Sequence, residues 1–251
     1  MLDLQTAARQ ALACLDLTSL NDGDTAADIE ALCRRAQTPF GPVAAVCVWP
    51  RFVAQACELL PETIRIAAVA NFPDGALDLT RAVADIQLIG VAGADEVDVV
   101  LPWRALLAGE VDAVAEFLSE VRHASRPLTL KVIIESGELK SPELIAQATR
   151  MALVAGADFI KTSTGKTPVS ATPAAAAVML REIKASGMTA AGFKASGGIR
   201  TVADAAQYLA LAQAALDTVD PQRMRFGASG LLNDIEAVLS GAAASAEHSS
   251  Y

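Results

Sequence analysis

Short apolar segments alternate with helical segments along almost the entire chain. Runs with the length of buried strands are predicted near residues 14–18, 43–49, 64–70, 95–101, 128–135, 159–161, 189–196 and 224–227. Helix-starting residues precede several of the intervening segments, as in Ser141-Pro142 and Thr172-Pro173. An open doubly wound sheet is one alternative, but its GxGxxG signature is missing after the first strand. Eight such units in 251 residues favour an α/β fold, a single (β/α)₈ TIM barrel with an extra N-terminal helix over residues 4–13.

One folded domain is expected. Hydrophobic residues make up 53% of the chain, enough for a large core, and no linker-like stretch interrupts the alternation. We therefore assign residues 1–240 to a catalytic barrel. From residue 241 onward the chain consists mainly of small residues with few anchors, which predicts a flexible tail, residues 241–251, ending in Tyr251.

The overall composition argues against several classes of protein. A net charge of −9 is unsuited to nucleic-acid binding, and no apolar run approaches the roughly 20 residues of a membrane span. The four cysteines lack CxxC spacing and only two histidines are present, so a metal site or a Ser-His or Cys-His pair is poorly supported. We expect a reducing, cytoplasmic setting.

Lys161 is the first candidate for chemistry. It follows the apolar pair Phe159-Ile160, and burial would favour its neutral, nucleophilic amine. Alternatively, its ammonium extends from the strand end into solvent. The pentapeptide Val-Ala-Gly-Ala-Asp occurs at both 91–95 and 154–158, and Asp98 and Lys161 each lie three residues beyond it. The two ionisable residues are therefore expected to hold equivalent places on two strands.

Glycine-rich turns follow the seventh and eighth strands, where (β/α)₈ barrels often bind phosphate. Gly197-Gly198 and Gly227 to Gly230 let backbone N–H groups approach an anion near a helix N-terminus. Gly165-Lys166, after the sixth strand, would add a cation. The alternative is that these are ordinary turns between strands and helices.

Lys194 lies on the strand next to Lys161, and neighbouring strands are about 4.8 Å apart. Two inward-pointing ammonium groups repel, so one should lose its proton more easily. Asp98 would then move protons through a water. Lys131 and Asp16 have suitable charges to complete a network; a structural salt bridge or strand-end surface charges are the alternatives.

Together these motifs resemble the deoxyribose-phosphate aldolase family of class I aldolases. The resemblance includes 15–18, 71–73, 94–100, 131–135, 158–166, 192–200 and 225–229, in the family's order. It implies reversible cleavage of 2-deoxy-D-ribose 5-phosphate to D-glyceraldehyde 3-phosphate and acetaldehyde, without metal or organic cofactor. By resemblance Lys161 forms the imine, Lys194 lowers its pKa, and Asp98 and Tyr251 transfer protons. The predicted substrate- and phosphate-binding residues are Asp16, Thr18, Lys131, Thr164, Gly165, Lys166, Gly197, Gly198, Gly227 and Ser229.

Some details and alternatives stay open. Some family members carry serine where this chain has Gly230, so one hydroxyl contact to phosphate would be absent. Cys47 is expected to point into the barrel, with packing as its role. A barrel that isomerises or epimerises sugar phosphates without a covalent intermediate and a non-catalytic sugar-phosphate-binding protein are the other two functions considered. The expected partners are sugar phosphates and aldehydes, with no nucleic acid or membrane, and alanine-rich outer helices could form a homodimer face.

Overall fold

The chain forms a closed barrel of eight parallel strands, as seen in a computed structural model that describes residues 3–241. Each strand pairs with its neighbours in sequence, and the first pairs with the last. The strands are β1 (Leu15–Thr18), β2 (Ala45–Val48), β3 (Arg65–Ala70), β4 (Glu96–Val100), β5 (Thr129–Ile133), β6 (Phe159–Lys161), β7 (Gly192–Ser196) and β8 (Met224–Ala228). The predicted fold class is therefore confirmed.

Helices cover the outside of the barrel between successive strands. They are α1 (Leu4–Ala13), α2 (Ala26–Arg35), α3 (Val53–Leu59), α4 (Leu79–Val91), α5 (Trp103–Leu107), α6 (Val111–Ala124), α7 (Ser136–Leu139), α8 (Pro142–Val154), α9 (Pro173–Ala185), α10 (Val202–Ala215) and α11 (Leu231–Leu239). The predicted extra helix is α1, which buries its alanine face against α10 and α11. Within residues 3–241, no helix has both the length and the apolar composition needed to cross a bilayer.

Side-chain caps fix the starts of several helices where the sequence predicts them. Ser141 caps α8 and Thr172 caps α9, each accepting a hydrogen bond from a backbone N–H of the first turn. In both helices a proline follows the cap, where its missing N–H is no loss. Thr201 and Asp204 form a reciprocal capping box at the start of α10.

The repeated pentapeptide has the same structure in both copies. Its glycine follows the end of α4 or α8 with a positive φ, 96° in the first copy and 88° in the second. Its aspartate accepts a backbone N–H from the preceding barrel strand: Asp95 from Ile66 at 2.9 Å and Asp158 from Leu130 at 2.7 Å. The repeat is thus a structural unit that leads from a helix end into a barrel strand.

Three short elements are absent from the sequence-based prediction. A two-stranded hairpin joins Gln37–Thr38 to Gly41–Pro42, and the short helices α5 and α7 follow β4 and β5. Such elements have too few residues to show a period in the sequence. The predicted strands 43–49 and 189–196 are also longer than β2 and β7, because their ends lie in the connecting turns.

Alternation along the strands divides the side chains between two environments. Val97 and Val99 of β4 belong to the apolar layer under the helices, whereas Glu96 and Asp98 point into the barrel. The interior of this barrel is therefore partly ionic, and the charged layer lies where the site was predicted.

Candidate active site

Seven ionisable side chains meet inside the barrel, and all of them are buried. Four are basic and three are acidic. They are Asp16 (β1), Glu96 and Asp98 (β4), Lys131 (β5), Lys161 (β6), Lys194 (β7) and Arg225 (β8). Buried charges of this kind are stable only when they are paired and hydrogen-bonded.

Asp98 is the centre of the upper part of this cluster, the part nearer the C-terminal ends of the strands. Its Oδ2 accepts from Lys161 Nζ and from Lys194 Nζ, both at 2.8 Å, and its Oδ1 accepts from Lys131 Nζ at 2.8 Å. Because the first two nitrogens share one oxygen, they are at most 5.6 Å apart, twice 2.8 Å. Lys161 and Lys194 are also register partners on β6 and β7.

Arg225 binds both carboxylates in the lower part of the cluster, the part nearer the N-terminal ends of the strands. Its guanidinium donates to Asp16 Oδ1 at 2.7 Å and to Glu96 Oε1 at 2.9 Å. Asp16 Oδ2 accepts from Lys194, and Glu96 Oε2 is bound by Lys131. Lys194 and Lys131 therefore connect the upper and lower parts of the cluster. A change of charge in one ion pair alters the electrostatic energy of the others.

Lys161 has the weakest hold on its proton among the three lysines. Burial lowers its pKa, Asp98 opposes that effect, and the nearby Lys194 lowers the pKa further. Burial also acts on Lys194, but the carboxylates of Asp16 and Asp98 outweigh it and raise the pKa of Lys194. The lowered pKa of Lys161, which favours the neutral amine predicted from the sequence, therefore comes from burial first and from repulsion by Lys194 second.

Asp98 and Lys131 are stabilised in their charged forms by their neighbours. Burial tends to raise the pKa of Asp98, yet Lys131, Lys161 and Lys194 together keep it well below the ordinary value. For Lys131 burial is outweighed by the carboxylates of Asp98 and Glu96, which raise its pKa. With Lys161 in its neutral form, the chamber around this cluster would contain three basic and three acidic side chains, a formal net charge of zero.

A cavity of about 590 Å³ opens above this cluster, at the C-terminal ends of the strands. Its walls come from the turns after β1, β6, β7 and β8. The predicted residues that line it are Thr18, Thr164, Gly165, Lys166, Gly197, Gly198, Gly227 and Ser229. Lys166 Nζ donates to the carbonyl of Leu20 at 2.7 Å, linking two of these turns across the opening.

The two helices that begin at this cavity differ in their capacity to bind an anion. At α10, the capping box is occupied by Asp204, and Val202 N donates to Asp234 at 2.6 Å. At α11, the N-cap is Gly230 and no side chain caps the first turn. The favourable N-terminal potential is therefore offered mainly by α11, whereas the sequence suggested both helices.

Two glycines of these turns are required by close contacts. A Cβ on Gly197, whose φ is +85°, would come within 2.5 Å of Ser170. A Cβ on Gly227 would come within 2.5 Å of Ser196 Oγ and 3.1 Å of Lys194 Cε. Gly227 thus leaves the space in which the Lys194 side chain lies.

Glu135 supports the turn after β6 from below. It has a left-handed backbone (φ 53°), and its carboxylate accepts from Thr164 Oγ1 at 2.6 Å and Thr167 Oγ1 at 3.2 Å. Burial raises the pKa of Glu135, although the hydrogen bonds from Thr164 oppose this. A strained residue that holds a neighbouring turn is typical of functional sites.

The structure brings together most of the residues predicted from the sequence. Lys161, Lys194, Asp98, Lys131 and Asp16 form one cluster, and the burial of the last two excludes strand-end surface charges. Asp98 contacts Lys161 directly; transfer through a water stays a prediction. Cys47 is buried in the barrel near the lysines, as expected. Tyr251 lies outside the described residues.

Sequence reasoning missed Glu96, Arg225 and Glu135 as members of the site. The alternation of side chains along β4 places Glu96 on the same face as Asp98, and this pattern is the signal that could have identified it. Arg225 lies in an apolar strand beside a glycine-rich turn, where a buried arginine requires acidic partners. Nothing in the sequence indicated the left-handed backbone of Glu135.

Among residues 3–241, no group of three or more His, Cys, Asp or Glu side chains has an arrangement suited to a metal ion.

Known proteins with similar sequences and structures agree with this chemistry. The family model for a DeoC/LacD family aldolase matches residues 10–237. A deoxyribose-phosphate aldolase of Agrobacterium fabrum is 50% identical over 240 residues, 94% of this chain and 92% of that protein. A solved Toxoplasma gondii structure, provisionally named deoxyribose-phosphate aldolase, has a TM-score of 0.86 at 26% identity, covering 95% of this chain and 97% of that one. The tetrameric deoxyribose phosphate aldolase of Aeropyrum pernix has a TM-score of 0.75 at 25% identity, over 95% and 97% of the two chains. The chain therefore belongs to the DeoC/LacD aldolase family.

Proposed function

We propose that this aldolase cleaves 2-deoxy-D-ribose 5-phosphate reversibly to D-glyceraldehyde 3-phosphate and acetaldehyde through an imine on Lys161. One observation carries the proposal. A buried lysine with a lowered pKa shares a carboxylate oxygen with a second lysine, directly beneath a cavity with glycine-rich walls. The 50% identity to the Agrobacterium enzyme supports the choice of substrate.

In the first step the neutral Nζ of Lys161 attacks the aldehyde carbon C1 of the open-chain sugar. Loss of water gives a protonated imine, whose positive charge draws electrons from the adjacent carbon. Asp98, whose Oδ2 accepts from Lys161 at 2.8 Å, and Lys194, which donates to the same oxygen at 2.8 Å, are the groups placed to transfer the released protons.

In the second step the C2–C3 bond breaks as the proton of the C3 hydroxyl is removed. The carbonyl of glyceraldehyde 3-phosphate forms, and the bonding electrons pass to C2 to give an enamine on Lys161. Protonation of C2 and hydrolysis of the imine release acetaldehyde and restore the amine. The negative Asp98 stabilises the cationic imine in the same place where it now holds Lys161.

The phosphate end of the substrate fits the cavity above. Lys166 supplies a cation, Ser229 a hydroxyl, and the uncapped first turn of α11 a set of backbone N–H groups. The reacting carbon and the phosphate are then held at different depths, which fixes the sugar along the barrel axis.

Reductive trapping tests the proposal. Borohydride with acetaldehyde should add one ethyl group to the protein, and peptide mapping should place it on Lys161. Lys161→Met should not be labelled, whereas a variant of the exposed Lys184 should be labelled like the wild type. Sugar-phosphate binding without any label would favour non-covalent isomerisation if the sugar turns over, and a binding protein if it does not.

Tyr251 is proposed to protonate the enamine carbon. The support is the resemblance alone, because this residue lies outside the described part of the chain. Removing it should slow hydrogen exchange at the acetaldehyde methyl group and leave imine formation unchanged. Unchanged exchange would contradict the role.

Three broader assignments belong to the same proposal. Residues 1–240 would be the catalytic domain, and the predicted tail, residues 241–251, lies outside the described residues except for Gly241. A cytoplasmic location is supported by the free thiols of all four cysteines, which a reducing compartment maintains. A homodimer through the outer helices would give twice the monomer mass in light scattering.

A further inference from the structure

The ion pair of Glu96 and Arg225 lies at the opposite end of the barrel from the phosphate cavity. Two cavities of about 540 and 480 Å³ open at the N-terminal ends of the strands, and Arg225 lines both. Glu96 lines the second. Yet only 5% of Arg225 and 3% of Glu96 is exposed. These two side chains therefore form the wall between solvent below and the charged chamber above.

Contacts on every side hold this wall in place. The Arg225 guanidinium lies 5.4 Å from the ring of Phe159, and its Nε donates to the carbonyl of Pro221. Its other nitrogens bind Asp16 and Glu96. Arg225 is also the register partner of Lys194 on the neighbouring strand. Through Asp16 and Lys131, the pair is therefore connected to Lys194 and Asp98, which lie next to the reactive lysine.

We propose that Glu96 and Arg225 are a positioning pair that closes the lower end of the barrel and, by binding Asp16 Oδ1, holds Lys194 between Asp16 Oδ2 and Asp98, next to the amine of Lys161. This inference rests on the proposed imine chemistry, but it concerns residues that do not touch the substrate.

The number of charges in the chamber predicts whether loss of Arg225 or of Glu96 favours the protonated or the neutral form of Lys161. Without the guanidinium, Lys131 and Lys194 alone face three carboxylates, and protonation of Lys161 restores neutrality. Without the Glu96 charge, the chamber has one cation too many, and Lys161 is driven further toward its neutral form. The titratable and charged groups around the amine are Asp16, Cys47, Glu96, Asp98, Lys131, Glu135, Lys194 and Arg225.

The proposal predicts that two variants shift the pH profile of Lys161 labelling in opposite directions. The rate at which acetaldehyde and cyanoborohydride label Lys161 is measured against pH by intact mass. Arg225→Met should move the midpoint up by about one pH unit, the effect of a unit charge roughly 10 Å away at an effective dielectric constant near 20. Glu96→Gln should move it down by a similar amount. Arg225→Lys should restore most of the wild-type profile.

Arg65→Met is the matched control. Arg65 lines the same two cavities but pairs with Asp95 outside the chamber, so its loss should leave the midpoint unchanged. Midpoints that do not move, or that move in the same direction in both variants, overturn the proposal. If Arg225→Met does not fold, Glu96→Gln decides alone: only a downward shift supports the pair. Absence of label in the wild type would instead refute the imine chemistry itself.

Discussion

Replacing Lys194 by methionine should raise the pKa of Lys161 without removing the nucleophile. In the native cluster both amines share Asp98 Oδ2, each at 2.8 Å, so their nitrogens are at most 5.6 Å apart. Methionine keeps most of the side-chain volume but removes the charge. Asp98 would then be free to hold Lys161 as an ammonium.

The size of the effect follows from that distance. Two unit charges 5.6 Å apart interact by about 3 kcal/mol at an effective dielectric constant near 20, which corresponds to roughly two pKa units. A rise of two pKa units lowers the neutral fraction of Lys161 at a given pH by at most about a hundredfold.

Imine formation can be measured apart from the later steps. The initial rate of labelling by acetaldehyde and cyanoborohydride, followed by intact mass, should fall by up to about two orders of magnitude at pH 7 and should recover as the pH is raised. Lys184→Met, on the exposed side of α9, should label at the wild-type rate. A wild-type rate in Lys194→Met, or a loss that does not recover at high pH, would refute the electrostatic argument.

Three further substitutions test the surroundings of the cluster. Gly227→Ala should reduce kcat at least tenfold, because its Cβ would displace Lys194 Cε from 3.1 Å, whereas Gly230→Ala meets nothing within 4 Å and should keep the native kcat. Equal losses in the two variants would contradict this view of Gly227. Glu135→Gln weakens the hydrogen bond from Thr164 and should raise KM for the phosphorylated sugar several-fold more than KM for 2-deoxyribose. An equal rise in both KM values would mean that Glu135 does not act through the turn after β6. Lys166→Met should raise KM for the phosphorylated sugar about tenfold or more with little change in kcat, as expected for a phosphate-binding cation, and a kcat loss at constant KM would show that the residue acts in the chemical step instead.

Much of the fold could be predicted because the alternation of apolar strand segments and helical segments repeats along the chain. Eight apolar segments with capped helices between them leave few alternatives, and the starts of α8, α9 and α10 follow from their caps. The lysines and Asp98 could be placed on the inside because strand side chains alternate.

Other parts of the site could not be predicted, for physical reasons. Which lysine is neutral depends on every charge in the chamber, and Arg225 contributes from a strand whose sequence offers no periodic signal. The capping of α10 by Asp204 and Asp234 decides which helix end can receive an anion, and the second carboxylate comes from the neighbouring helix α11. The left-handed backbone of Glu135 is a property of the folded turn.

The repeated pentapeptide also sets a strict spacing. In both copies the side chain that enters the chamber lies three positions after the aspartate that binds the preceding strand, Asp98 after Asp95 and Lys161 after Asp158. An insertion or deletion of a single residue in either interval would turn that side chain toward the outer helices. Length changes are therefore tolerated in the loops of this barrel far better than in these two intervals, where one residue decides whether the carboxylate and the amine meet.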